Sequence, residues 1–356
     1  MNKKALIAMS GGVDSAVAAL LAQQQGFDCI GITMRLFDNE DIGVTNQKTC
    51  CSLEDAAMAE QVANRLNMPF YVLNMATEFN KLVINRFVAE YQRGATPNPC
   101  IDCNRYIKFR CLFDKATALG INYVVTGHYA IITKDPTTDR FLLKKGADTA
   151  KDQSYFLYAM TQNQLKHTLF PLGNFTKEQT RQLAAENGFS NAQKPDSQDI
   201  CFVPNGDYAA FITQYTNQPP TTGNFIDNQN NVLGKHNGHI KYTIGQRKGL
   251  GIAFGKPMYV TAKNPQNNTV TLADESQLFT NTLHAEDFNW IIAPPKIPII
   301  VQAKTRYTQQ AQPATAQIIS DKTVKVEFAQ PLRAIAKGQA VVLYDGDIVV
   351  GGGTIV

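Results

Sequence analysis

The 356-residue sequence has no apolar run long enough to cross a membrane, a single tryptophan, and little excess of either charge. Its N-terminal apolar stretch, Ala5 to Met9, breaks at Ser10-Gly11-Gly12, too short for a secretory core or a span, so no membrane partner is expected. Lys and Arg number 34 against 30 Asp and Glu, a formal charge of +4. That balance permits a nucleic-acid partner without demanding one, because folded RNA is held by local basic patches. Seven cysteines, an odd number with no export signal, argue against a disulfide scaffold and for a reducing compartment, the cytoplasm. No lysine follows the paired glycines, which excludes the usual Walker loop. The stretch 249–255 misses dinucleotide spacing because Phe254 stands where glycine is needed.

What is present is an alternation of short apolar runs and helical patterns: KALIAM, then VDSAVAALLAQQQG; DCIGITM, then LEDAAMAEQVANRLN; PFYVLN, then EFNKLVINRFVAEYQRG; and later NYVVTG. That order predicts an α/β fold, a Rossmann-like parallel sheet with crossover helices. Ser52 with Asp55 and Thr176 with Gln179 have capping-box spacing. Past residue 204 the composition turns to Asn, Gln, Gly and Thr, with alternating runs such as TVKVEF and a hairpin signal at Asp345-Gly346. Two smaller, mainly β domains are expected there. The boundaries fall at 1–204, 205–280 and 281–356, the last set just before the proline-rich WIIAPPKIP.

The strongest motif is SGGVDS, Ser10 to Ser15, where the first strand hands over to the first helix. Gly11 and Gly12 let the backbone turn tightly with its amides exposed, and the helix N-terminus behind them favours an anion such as a phosphate chain. Ser10 and Ser15 add hydroxyls, and Asp14 is suited to a magnesium ion bridging phosphate oxygens. A second stretch, TPNPCIDCN, sets Cys100 and Cys103 three apart after Pro97 and Pro99, which predicts a loop rather than a helix. The spacing serves zinc, a redox dithiol or a catalytic thiolate. Zinc wants four ligands, and no second cysteine pair at knuckle spacing or histidine pair accompanies these two. Cys201, in the apolar-flanked DICFV, reads by itself as a small buried hydrophobe.

SGGVDS resembles the PP-loop of N-type ATP pyrophosphatases, which split ATP into AMP and pyrophosphate while adenylating a substrate oxygen. Such a loop also serves ligases and amidating synthetases acting on small molecules. GATPNPCIDCNRYIKF, TGHYA, AKDQSYFLY, KPDSQDICF, YTIGQRKGLG and LRAIAKGQAVVLYDGD narrow the resemblance to the tRNA 2-thiouridylase family, along essentially the whole chain. The resemblance implies that the last domain is a β-barrel and that the substrate is tRNA. ATP and Mg2+ are the implied cofactors, and a sulfur carrier or cysteine desulfurase the implied persulfide donor. It implies Cys201 as the persulfide carrier and Cys103 as the thiol that resolves it. ATP contacts are expected from Ala8, Met9, Ser10, Gly11, Gly12, Val13, Asp14, Ser15, Met34 and Gly127. Asn98, Pro99 and Cys100 would line the target base, and Cys100 stands where some family members carry Asp. Contacts to tRNA are expected from His128, Lys151, Asp152, Gln153, Arg306, Tyr307 and Gln339. Arg247 and Lys248, beside two glycines, add a basic cluster in the middle of the chain.

Overall fold

The protein is represented by a computed structural model that describes residues 3–37, 53–195, 200–203, 206–253 and 255–356. Ser52 of the first expected capping box, Cys50, Cys51, Phe254 and the stretch 196–199 lie outside the described residues. The first domain is built on strands β1 (Lys3–Ala8), β2 (Phe27–Arg35), β3 (Phe70–Asn74), β4 (Tyr123–Val125) and β7 (Thr168–Leu169), between which run β5 (Ala130–Lys134) and β6 (Phe141–Lys145). The five form one sheet in the order β3-β2-β1-β4-β7, and every pairing is parallel. Buried on both faces, β1 reads as the continuous apolar run ALIA rather than an alternation. Helices α1 (Val13–Gln24) and α2 (Leu53–Arg65) make the first two crossovers.

Because the chain goes from β1 to β2 and β3 on one side and returns with β4 on the other, the carboxyl end of β1 is a switch point, where parallel sheets leave a crevice. The Gly-Gly loop sits there. One apolar cluster fills the face of the sheet that holds Leu6, Ile32, Phe79, Phe87 and Phe202; a second, with Ile7, Val17 and Ala18, lies on the other. The capping box at Thr176 forms as expected, Thr176 Oγ1 accepting from Gln179 N at 3.2 Å and Gln179 Oε1 from Thr176 N at 2.8 Å.

The middle domain is a helix, Tyr208–Thr216, and the sheet of β8 (Gly223–Ile226), β9 (Val232–His236), β10 (Tyr259–Asn264) and β11 (Thr269–Ala273), in the order β10-β11-β8-β9. The last domain comprises β12 (Phe279–Trp290), β13 (Ile299–Lys304), β14 (Gln312–Ser320), β15 (Thr323–Arg333), β16 (Ala340–Asp345) and β17 (Ile348–Ile355). These run antiparallel, and pairing of β12 with both β15 and β17 closes them into a barrel, which removes its edges. The hairpin expected at Asp345-Gly346 joins β16 to β17, Gly346 taking φ +56. The hairpin of β5 and β6 leaves the first domain and extends the barrel sheet, Lys144 pairing with Ile348. Tyr155, Tyr158 and Leu143 of the first domain share one core with Ile291, Val342 and Tyr344 of the barrel. The two parts therefore share a core as well as a sheet.

Candidate active site

The Ser10–Ser15 loop is closed from within. Ser15 Oγ accepts from Ser10 N at 3.2 Å and donates to the Gly12 carbonyl at 3.0 Å, so its hydroxyl shapes the turn. Gly11 has φ +72, and a Cβ there would lie 2.3 Å from the Asp55 backbone oxygen. No side chain fits. Gly12, extended, caps α1, and Val13 is buried in its first turn. Asn191 Nδ2 donates to the Gly11 carbonyl at 3.1 Å, and the Lys194 ammonium pairs with Asp55 beside it. Lys194 opens the KPDSQDICF motif, so the loop and the cysteine segment are tied together through it.

Asp14 lies in the first turn of α1 with its Oδ1 2.7 Å from Lys177 Nζ and 2.9 Å from the Tyr129 hydroxyl. Lys177 is the first residue of the helix capped by Thr176, so that cap aims its ammonium at the loop. A magnesium ion that bridges phosphates takes only one or two protein carboxylates, the rest of its oxygens coming from phosphate and water. Asp14 is thus the residue of this loop that could hold one, although the Lys177 ammonium faces it here. Among the described residues no three His, Cys, Asp or Glu side chains gather to hold a metal.

Met9 and Met34 are buried in the two cores, and the Met9 backbone is itself engaged, its N–H donating to the Ile32 carbonyl at 2.7 Å and its carbonyl accepting from Thr33 Oγ1 at 2.8 Å. Ala8 is half-buried at the end of β1. Gly127 follows β4, as the strand pattern implied, but the backbone it admits is the protein's own: a Cβ would lie 2.7 Å from the Asp14 carbonyl carbon and 2.8 Å from Ser15 N. Its bareness lets α1 start against β4.

The cysteines depart from the expected loop. Asn98 caps a helix that begins with Pro99 and carries both thiols: residues Pro99–Asp102 are α-helical and Cys103–Cys111 continue as a π-helix. Asn98 Oδ1 accepts from Cys100 N at 3.2 Å. Proline breaks a helix interior but is favoured at the first position, where its fixed φ suits the helix and its missing N–H has no partner to lose. Cys100 is exposed and Cys103 half-buried. Cys103 and Cys201, remote in sequence, pack against the same apolar cluster. Burial pushes the Cys103 thiol up; the Lys108 ammonium pulls it back and Asp102 pushes it up again.

Several residues expected to meet RNA are committed inside the protein. His128 is buried against Phe109 and Phe170, with Nδ1 2.7 Å from Thr126 Oγ1, so its ring does not face outward. Burial, then Lys108, holds its pKa well below the usual histidine range. Buried Asp152 accepts from Gly146 N, Ser154 N and Ser154 Oγ at 2.9 to 3.1 Å. Gln153 Oε1 accepts from Tyr129 N at 3.0 Å, and Lys151 is half-buried beside them. Gln339 Nε2 donates to the Thr96 carbonyl at 2.6 Å, fastening the barrel to the segment before the cysteines. Arg306 donates to the Ala334 carbonyl at 2.9 Å, and Tyr307 packs on Phe156 with ring centroids 4.5 Å apart. Arg247 and Lys248 are exposed. Lys177, Tyr129, Asn191 and Lys194 escaped the sequence reading because only the fold brings them to the loop, although Tyr129 and Lys194 stand in motifs already singled out.

The chain matches the family models described as tRNA methyl transferase HUP domain over residues 3–205, tRNA methyl transferase PRC-barrel domain over 209–274 and aminomethyltransferase beta-barrel domain over 280–355. Fold and loop thus define the class, an α/β HUP domain followed by two β domains. A protein of Clostridioides difficile (strain 630) named tRNA-specific 2-thiouridylase MnmA is 51% identical over 356 residues, covering 100% of this chain and 98% of that protein. One of the same name from Acetivibrio thermocellus is 51% identical, with 99% of each chain covered, and one from Clostridium botulinum (strain Loch Maree / Type A3) is 49% identical over 100% and 99%. The chain belongs to the MnmA family of tRNA-specific 2-thiouridylases.

Proposed function

We propose that this protein is an ATP-dependent tRNA sulfurtransferase that replaces the C2 oxygen of the wobble uridine by sulfur. The observation that carries the reading is that Cys103 and Cys201, remote in sequence, both pack against one apolar cluster in the domain that also bears the Ser10–Ser15 loop. The relatives' names supply the substrate class, and HUP membership the use of ATP.

Exchange of a carbonyl oxygen for sulfur needs the oxygen turned into a leaving group and the sulfur offered as a soft nucleophile. The loop amides and Lys177 are suited to hold the triphosphate while the uridine oxygen attacks the α-phosphorus and pyrophosphate leaves. A persulfide on Cys201, loaded by a sulfur carrier or cysteine desulfurase, then attacks C2 through its terminal sulfur, and AMP departs with the former carbonyl oxygen. The Cys103 thiolate next attacks the Cys201 sulfur. The bond between that sulfur and the transferred one breaks, its electron pair stays on the transferred sulfur, and a Cys103–Cys201 disulfide forms. An external thiol reductant must reopen it before the next turnover. In this reading Asn98, Pro99 and exposed Cys100 border the target base.

Incubation with ATP, labelled cysteine, a cysteine desulfurase as persulfide donor, a thiol reductant and tRNA transcript, followed by nucleoside analysis, tests the reading. Wild type should yield 2-thiouridine. Cys201→Ser should neither accept labelled sulfur nor thiolate; Cys103→Ser should load sulfur and then stall; Cys100→Ser should keep substantial activity. Full activity in Cys201→Ser with a sulfur donor that requires a protein persulfide would overturn it.

A further inference from the structure

Lys177 stands where a lysine is disfavoured. It opens the helix Lys177–Glu186, at the end where the helix dipole opposes a cation, and its side chain is only 11% exposed. The Thr176 cap holds it there, together with Asp148 Oδ2, which accepts from Lys177 N at 2.9 Å. Its ammonium donates to Asp14 Oδ1 at 2.7 Å, inside the Ser10–Ser15 loop. The Tyr129 hydroxyl lies 2.9 Å from the same carboxylate oxygen and 3.0 Å from Thr180 Oγ1, one turn further along the helix of Lys177. The acid, the ammonium and the phenol are therefore set as one unit across the starts of two helices.

An acid in this loop opposes what the loop is shaped to hold. The loop amides and the start of α1 suit the oxygens of a polyphosphate, whereas the Asp14 carboxylate, 32% exposed, repels them. A cation is needed at Asp14, and the fold supplies one from the chain itself. Asp55, whose backbone closes on Gly11, is matched separately by the Lys194 ammonium, which also lies 3.5 Å from the Gly11 carbonyl. Each acid at the loop thus has its own lysine, and Lys194 is not spare for Asp14.

We infer that Lys177 is a built-in counter-ion for Asp14, which lets the loop bind the triphosphate of ATP without a metal ion to shield the acid. The inference rests on the reading above that this loop takes ATP, and deepens it. Lys177 is a positioning residue that acts through Asp14, and magnesium becomes necessary for ATP affinity only when the ammonium is lost.

Titration calorimetry of the full-length protein with ATP, in Mg2+ and in EDTA and without tRNA or sulfur donor, tests this. The wild-type dissociation constant should differ by less than about threefold between the two buffers. Lys177→Met should stay within about threefold of wild type in Mg2+ but bind at least about tenfold more weakly in EDTA, where an uncompensated carboxylate faces the phosphates. Adding Asp14→Asn to Lys177→Met should restore the EDTA affinity to within about threefold of wild type, because the pair is again neutral. Lys177→Arg should follow wild type, since the charge is retained. An equal loss for Lys177→Met in both buffers, or no restoration by Asp14→Asn, overturns the inference, since a direct phosphate contact or a disturbed fold would give that result. A wild type that binds no ATP in either buffer overturns the ATP reading itself, and the inference with it.

Discussion

Asp102 stands between Cys100 and Cys103, its side chain 19% exposed and 3.4 Å from Arg86. Burial lifts its pKa from 3.8 to about 6, although Arg86 and Arg105 both oppose the rise. The folded state therefore binds this proton more tightly than the unfolded chain does. Stability from this group is greatest below pH 4, declines as pH rises from about 4 to 6, and is level above that. At neutral pH the buried carboxylate weakens the fold by up to about 3 kcal/mol, less whatever solvent reaches it. Asp102→Asn should accordingly raise the unfolding free energy read from urea titration at pH 7.5, by about 2 kcal/mol more than it does at pH 4.5. A lower midpoint for the variant at pH 7.5 would show the ion pair outweighing burial. Asp102 was not legible as a special residue, because nothing local distinguishes a buried aspartate from a solvated one. The loop residues Ser10 to Ser15 were legible, since their hydroxyls, glycines and acid fall within one turn. Asp14 was legible as an acid at the loop, but the Lys177 ammonium and Tyr129 hydroxyl that the fold sets against it were not.

At the scale of elements, what was readable was what is encoded locally. The parallel strands, the capping box at Thr176 and the hairpin at Asp345-Gly346 each rest on neighbouring residues. The segment with the two thiols was misread because two prolines look like a break, while the cap at Asn98 makes the second of them a helix start. Its π-turn had no signature at all, since register within a helix depends on what packs around it. Gly127 illustrates the same dependence. Its place after a strand was evident, but the constraint is the start of α1, whose Asp14 and Ser15 backbone occupies the space of a side chain. Gly127→Ala should push α1 away from β4, costing about 1–3 kcal/mol in stability as overpacking does. ATP affinity should fall by at least tenfold, because the loop amides move with the helix. Denaturant unfolding and nucleotide titration check both, and a variant that loses stability but binds ATP as before would separate Gly127 from the loop.

In the whole molecule the barrel does more than follow the first domain. It recruits the β5–β6 hairpin into its sheet and shares a core with Tyr155 and Tyr158. It also reaches the cysteine helix through the ion pair of Arg105 with Asp287, and the segment just before that helix through Gln339 to Thr96. None of this was legible, since it is long-range pairing, and of the residues concerned only Gln339 had been singled out, as a tRNA contact. With Gln339, His128 and Asp152 hydrogen-bonded inside the protein, we expect the electrostatic grip elsewhere. Arg306 spends a donor on the Ala334 carbonyl and is half-buried, whereas Arg247 and Lys248 are exposed together in the middle domain. Removing one side chain that neutralises a phosphate lowers the slope of log affinity against log salt by about 0.7 to 0.9. Replacing Arg247 and Lys248 together by Ala should therefore flatten the tRNA salt dependence by about 1.5 and weaken binding most at low salt, with ATP affinity unchanged. Arg306→Ala should change the slope by less than a single phosphate would and lower stability instead, because its carbonyl partner is left unsatisfied. Binding isotherms for both variants across a salt series decide the matter: a larger drop in slope for Arg306→Ala than for the double variant would return the phosphate grip to the barrel.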